Sequence, residues 1–71
     1  MDYAIVCSST AQCYSVLQQF CLENNIEHDK VTWNTIPYRV RLTDADCAWV
    51  IPQCLFDRWS RGREFEVVCT F

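Results

Sequence analysis

Arginine supplies nearly all of the positive side-chain charge in this sequence, and it is unevenly distributed. Lys30 is the only lysine, and five arginines fall into two groups: Arg39 and Arg41, then Arg58, Arg61 and Arg63. A guanidinium presents a planar fork of donors that can bind carboxylate or phosphate through two hydrogen bonds at once. With Tyr38 and Trp59 as aromatic neighbours, these arginines predict a contact surface for a binding partner.

The overall charge makes nucleic acid a secondary choice of partner. The formal net charge is −3 at pH 7, whereas proteins that bind the phosphate backbone usually carry a basic excess. The nine acidic residues are scattered among the arginines, so the chain does not resemble a DNA mimic either. Nucleic-acid binding through an arginine-bearing face stays open as an alternative to a protein partner.

Cysteine is the second residue type that could do chemistry. The six cysteines are Cys7, Cys13, Cys21, Cys47, Cys54 and Cys69. They form no C-x-x-C pair, and His28 is the only histidine, so the sequence predicts no metal site. The chain is 51% hydrophobic and does not need disulfides in place of a core, so we expect free thiols.

A redox-sensing or small-ligand regulatory domain is the alternative that these thiols leave open. Cys54 lies four residues before Arg58, and a basic neighbour favours the reactive thiolate. Cys7 and Cys13 are the other candidate sensor thiols, and Cys69 could serve at an inter-strand position.

Groups for catalysis or cofactor binding are sparse. Gly62 is the only glycine, which excludes the glycine-rich loops that hold nucleotide phosphates. No nucleophile motif accompanies His28, which we expect to be a surface residue. Asp44 and Asp46 lack the turn glycine and final glutamate of a calcium loop, so we expect them to cap a helix or turn. The sequence therefore predicts neither an enzyme nor a cofactor.

The first part of the chain predicts a strand that leads directly into a helix. Residues 3–7 are rich in β-formers, and Ser9 and Gln12 have the spacing of a capping box. Apolar residues then recur at three- and four-residue spacing until Asn24 and Asn25, which favour a left-handed stop.

Alternating polar and apolar residues predict a hairpin next. Residues 28–34 place Lys30 and Thr32 on one face, and residues 38–42 place Arg39 and Arg41 on one face. The short connection at residues 34–37 is suitable for a turn, with Pro37 opening the second strand.

The last part of the chain allows two interpretations. A helix could begin near residues 43–46 and be kinked at Pro52. Alternatively, residues 47–51 form a strand and Pro52 occupies the first position of a helix, which is the version we favour. In both versions the helix ends before Gly62, and residues 64–71 form a final strand. On this strand, Glu64 and Glu66 are expected to face the two arginines of the earlier strand.

These elements predict one α+β domain over residues 1–71. The order β-α-β-β-(β)-α-β resembles a ferredoxin-like, or split β-α-β, two-layer sandwich. Such a fold has an antiparallel sheet of four or five strands with two helices on one face. Because this architecture carries many functions, the resemblance implies no particular activity.

Taken together, these observations predict a non-enzymatic interaction module. We expect it to bind and inhibit a larger protein, as small bacteriophage-type accessory proteins do, and to be able to form a homodimer. The N-terminal apolar run is too short for a signal peptide or a membrane span, so we expect a cytoplasmic location.

Overall fold

The computed structural model describes residues 1–70, which form a mixed sheet with two α-helices. In chain order the elements are β1 (Asp2–Cys7), α1 (Thr10–Glu23), a short 3-10 helix (His28–Lys30), β2 (Tyr38–Arg41), β3 (Cys47–Pro52), α2 (Gln53–Ser60) and β4 (Phe65–Thr70). The predicted α+β class is confirmed. Phe71, the last residue of the predicted final strand, lies outside the described residues.

The sheet has the strand order β2-β3-β1-β4 and combines parallel with antiparallel pairs. β1 pairs in parallel with both β3 and β4, whereas β2 is antiparallel to β3. The prediction of an antiparallel sheet is therefore wrong, and the ferredoxin-like resemblance is not confirmed. The parallel pairs are possible because a helix follows β1 and another follows β3, and each carries the chain back along the sheet.

The two helices pack against different faces of the sheet. Cys13 and Leu17 of α1 share a core cluster with Ile5 of β1, whereas Trp59 of α2 shares a second cluster with Ala4 of β1. Because successive residues of a strand point to opposite faces, the helices lie on opposite sides. The prediction that both helices share one face is wrong.

The start of α1 follows the sequence signal. The backbone N–H of Gln12 donates to Ser9 Oγ at 3.2 Å, so Ser9 is the predicted N-cap. The Gln12 side chain returns to the backbone N–H of Ser8 at 2.7 Å, one residue earlier than in a standard capping box. At the other end, Asn25 has a φ of 54°, which confirms the left-handed stop.

The predicted hairpin is only partly present. β2 forms as expected, but residues 28–30 adopt a 3-10 helix, and the only strand-like pairing of the preceding segment is a bridge between Val31 and Val40. Thr32 N donates to Arg39 O at 3.0 Å next to this bridge. The predicted antiparallel direction is thus correct, but the prediction that residues 28–34 form a strand is wrong.

The favoured order of a strand followed by a helix is confirmed for residues 47–60, but Pro52 ends the strand and is not the first helical residue. Residues 47–52 form β3, and α2 begins immediately after Pro52, which acts as its N-cap. α2 ends at Ser60, and Gly62 has a φ of 71°, a left-handed conformation that glycine adopts without steric cost.

The expected ion pairs between β2 and β4 do not form, because these strands are the two edges of the sheet. Within residues 1–70 the only ion pair joins the Met1 amino group to Asp46 Oδ1, at 2.7 Å. The hydrogen bond raises the pKa of the Met1 amino group and lowers the pKa of Asp46. In the part of the chain described, no helix has the length and apolar character needed to cross a membrane.

Candidate functional site

The register of β2 and β3 determines where the first two arginines point. Arg39 pairs with Trp49, and Arg41 pairs with Cys47. Directly paired residues share a face of the sheet, and Trp49 packs against the α2 cluster. Arg39 and Arg41 therefore lie on the face of the sheet that carries α2. Their strand, β2, is at the edge of the sheet.

Arg63 reaches this face from the turn between α2 and β4. Its guanidinium carbon lies 5.2 Å from the Trp49 ring centroid and 4.9 Å from that of Trp59, within the range of a cation–π contact. The indoles themselves are 5.6 Å apart. Arg39, Arg41, Trp49 and Arg63 thus share one surface, which we call the basic–aromatic surface.

An aromatic cluster supports this surface from below. Trp59 is 8% exposed, and its ring centroid lies 5.0 Å from Phe65 and 6.2 Å from Phe56. These contacts hold α2 against β4 and fix the rings on which Arg63 rests. Trp59 is therefore mainly a core residue, and its ring supports Arg63 from below.

The two indoles each leave a polar atom without a partner. Nε1 of Trp49 and Nε1 of Trp59 are buried and donate no hydrogen bond within residues 1–70. A buried donor without an acceptor costs about 1–3 kcal/mol. Two indole N–H donors without an acceptor therefore belong to the basic–aromatic surface and the cluster beneath it.

The other predicted contact residues are placed differently. Tyr38 pairs with Val50, is 7% exposed and belongs to the α1 core cluster, so it lies on the opposite face from Arg39. Arg58 and Arg61 are exposed at the end of α2 and make no cation–π contact with the indoles. We leave these three residues outside the basic–aromatic surface.

A polar cavity adjoins Arg39 and Arg41. It has a volume of about 250 Å³ and is lined by Asp29, Lys30, Val31, Thr32, Arg39 and Arg41. We call it the cationic cavity. Residues 29–32 were not predicted as site residues. The alternation of the sequence did place Lys30 and Thr32 on one face, and in the structure both line this cavity.

The six thiols range from buried to exposed, with Cys21 and Cys47 intermediate. Cys7 and Cys13 are buried, whereas Cys54 and Cys69 are exposed. Burial raises the pKa of Cys13 to about 12, and the hydrogen bond with Cys7 adds to the shift; burial also raises the pKa of Cys7. Since the thiolate is the reactive form, Cys7 and Cys13 are unsuited to fast redox sensing, and the redox alternative now depends on Cys54 and Cys69.

The face that carries α1 has an apolar groove beside the edge strand β4. Its cavity measures about 340 Å³, and its apolar lining includes Ile5, Val16, Phe20 and Val68. Val68 is 60% exposed, and β4 has no neighbour on its outer side. Sequence analysis did not predict this groove, because it depends on the parallel placement of β4 next to β1.

The remaining candidate residues take structural roles. The ring of His28 stacks on Trp33 with centroids 4.8 Å apart, and Trp33 Nε1 donates to His28 O at 2.8 Å. Asp46 lies in the turn between β2 and β3, where Thr43 Oγ1 accepts from its N–H at 3.0 Å. Among the described residues, no group of three or more His, Cys, Asp or Glu side chains is arranged to hold a metal ion.

Comparisons of the chain with protein-family models, with curated proteins and with solved structures found no match. The geometry of the site is therefore the basis for the functional argument.

Proposed function

We propose that this chain is a non-enzymatic interaction module that binds a larger protein partner through the basic–aromatic surface, and that binding inhibits the partner. One observation carries the proposal. Three arginines from two distant segments lie on one face of the sheet beside Trp49, and none of them pairs with a carboxylate within residues 1–70.

The chemistry of this surface favours a partner that presents carboxylates beside apolar groups. Unpaired guanidinium groups keep their donors available for bidentate hydrogen bonds, and arginine and tryptophan are the residues that most often dominate the energy of protein interfaces. Arg63 is also held in place by two rings before any partner arrives. Less side-chain entropy is then lost on binding than for a free arginine.

The direct test combines affinity capture with measurement on purified proteins. A protein captured from lysate would be purified and titrated against the wild type, against Arg39→Glu/Arg41→Glu and against Arg58→Glu/Arg61→Glu by isothermal titration calorimetry. We expect stoichiometric binding that the first double variant abolishes. The second variant carries the same change of charge outside the basic–aromatic surface and should retain binding.

Two results would contradict the proposal. Equal loss of binding in both variants would mean that general charge, and not this surface, attracts the partner. Capture that disappears after nuclease treatment would instead favour nucleic acid as the ligand of the arginine-bearing face. Circular dichroism of each variant would verify that the fold is retained.

A further inference from the structure

The cationic cavity brings three positively charged side chains together with a single carboxylate, that of Asp29. Val31 and Val40 form an isolated antiparallel bridge, and beside it Lys30, Thr32, Arg39 and Arg41 line the same cavity. Like charges held close together repel each other. Within residues 1–70, neither Lys30 nor the two arginines form an ion pair with a carboxylate.

Thr32 adds a hydroxyl donor to the same cavity. Thr32 Oγ1 accepts a hydrogen bond from Arg39 N at 2.9 Å, which fixes the position of the oxygen. A threonine hydroxyl has one proton to donate in addition to its acceptor sites. That proton has no acceptor in the described part of the chain, so it is available to a ligand.

Hydrogen bonds and core packing hold the backbone around the cavity. Thr32 N donates to Arg39 O at 3.0 Å, next to the hydrogen bond that Arg39 N makes with the threonine side chain. Val31 and Val40 are 7% and 0% exposed in the core behind the cavity. The positive groups are therefore presented from a fixed pair of segments, and binding need not order a loop.

We propose that the cationic cavity binds a phosphate group through Lys30, Thr32, Arg39 and Arg41. Two guanidinium forks, one ammonium group and one hydroxyl suit the several acceptor oxygens of a dianionic phosphate. Asp29 also lines the cavity and opposes binding by its negative charge, but three cations outnumber it. The ligand relieves the repulsion among these cations, so binding also stabilises the fold.

Amide chemical shifts recorded during a titration with inorganic phosphate test this assignment, with sodium chloride at matched ionic strength as the reference. We expect saturable shifts at residues 30–32 and 39–41. Arg39→Gln/Arg41→Gln should bind at least about tenfold more weakly, since it removes two charge-assisted contacts. Arg58→Gln/Arg61→Gln removes the same charge elsewhere and should bind as the wild type does.

Asp29→Asn gives a test in the opposite direction. Removing the only carboxylate that lines the cavity should tighten phosphate binding and increase the rise in melting temperature that phosphate produces. Shifts that do not saturate, or that match those in sodium chloride, would overturn the proposal. So would equal weakening by the two double arginine variants, because general screening would then account for the effect.

A second titration, with N-acetyl-phosphoserine amide, distinguishes the source of the phosphate. Tighter binding than that of inorganic phosphate would assign the cavity to a phosphorylated side chain, whereas weaker binding would assign it to the free ion. Because both titrations use the isolated chain, their failure is separate from failure of the protein-partner proposal.

Discussion

The guanidinium carbon of Arg63 lies 4.9 Å from the ring centroid of Trp59, so this arginine covers the aromatic cluster between α2 and β4. Arg63→Ala removes that contact and the one with Trp49. At an exposed site a cation–π contact contributes about 0.5–1 kcal/mol, and we expect a loss of about that size in urea unfolding followed by tryptophan fluorescence. Arg61→Ala is the matched control, and a similar loss there would show that the rings are not involved.

Leu17 gives the sharpest test of how α1 packs. Its side chain is 0% exposed, and replacing such a leucine with alanine costs about 2–5 kcal/mol. Leu22 lies on the same helix at 76% exposure, and Leu22→Ala should change the free energy of unfolding by less than about 0.5 kcal/mol. Equal effects in urea unfolding would contradict the described orientation of α1.

The cap of the same helix depends on Ser9. Ser9→Ala removes the acceptor for Gln12 N and should lower the free energy of unfolding by about 1 kcal/mol. Ser9→Asp keeps an acceptor oxygen at the N-terminus and should retain most of the stability. If alanine and aspartate behaved alike in urea unfolding, the hydrogen bond would not be contributing.

Thiol labelling should follow burial. With iodoacetamide under native reducing conditions, we expect Cys54 and Cys69 to react first and Cys7 and Cys13 to react only when the chain unfolds. Peptide mass spectrometry at successive times gives the order. Rapid labelling of Cys13 in the native protein would show that the junction of β1 and α1 opens readily.

Alkaline pH should destabilise the protein through its buried thiols. The pKa of Cys13 rises from 9.0 to about 12 on folding, so the folded state holds the proton more tightly. The stability from this difference is complete below about pH 9 and is lost as the pH rises towards 12. Cys13→Ala should flatten this part of the stability profile, measured by urea unfolding at a series of pH values, and an unchanged slope would contradict the expected role of Cys13.

Local signals in the sequence predicted the local structure well. Ser9 and Gln12 gave the start of α1, and the position of Pro52 after an apolar run separated β3 from α2. In each case the determining contacts lie within a few residues. One local prediction failed, because alternation at residues 28–34 indicated a strand where residues 28–30 form a 3-10 helix. The other failures concerned distant partners, namely the direction of β4 and the face that each helix covers, because alternation in a strand does not reveal which strand lies beside it.

For the candidate site too, local spacing was predictable and long-range contacts were not. Arg39 and Arg41 were assigned to one face from their spacing alone. Tyr38 was included because it is adjacent in sequence, although adjacent strand residues point in opposite directions. The approach of Arg63 to Trp49 depends on the turn after α2 and on the parallel placement of β4, neither of which has a signature in the residues themselves.

The parallel sheet also determines when the fold can be completed. Asp2 pairs with Phe65, and Ala4 pairs with Val67, so the central strand receives its last neighbour from a segment near the other end of the described chain. Pairings that close such long loops are slow to form. During synthesis, one side of β1 therefore stays unpaired until β4 has left the ribosome. β2 and β3 can pair earlier, because the connection between them is shorter.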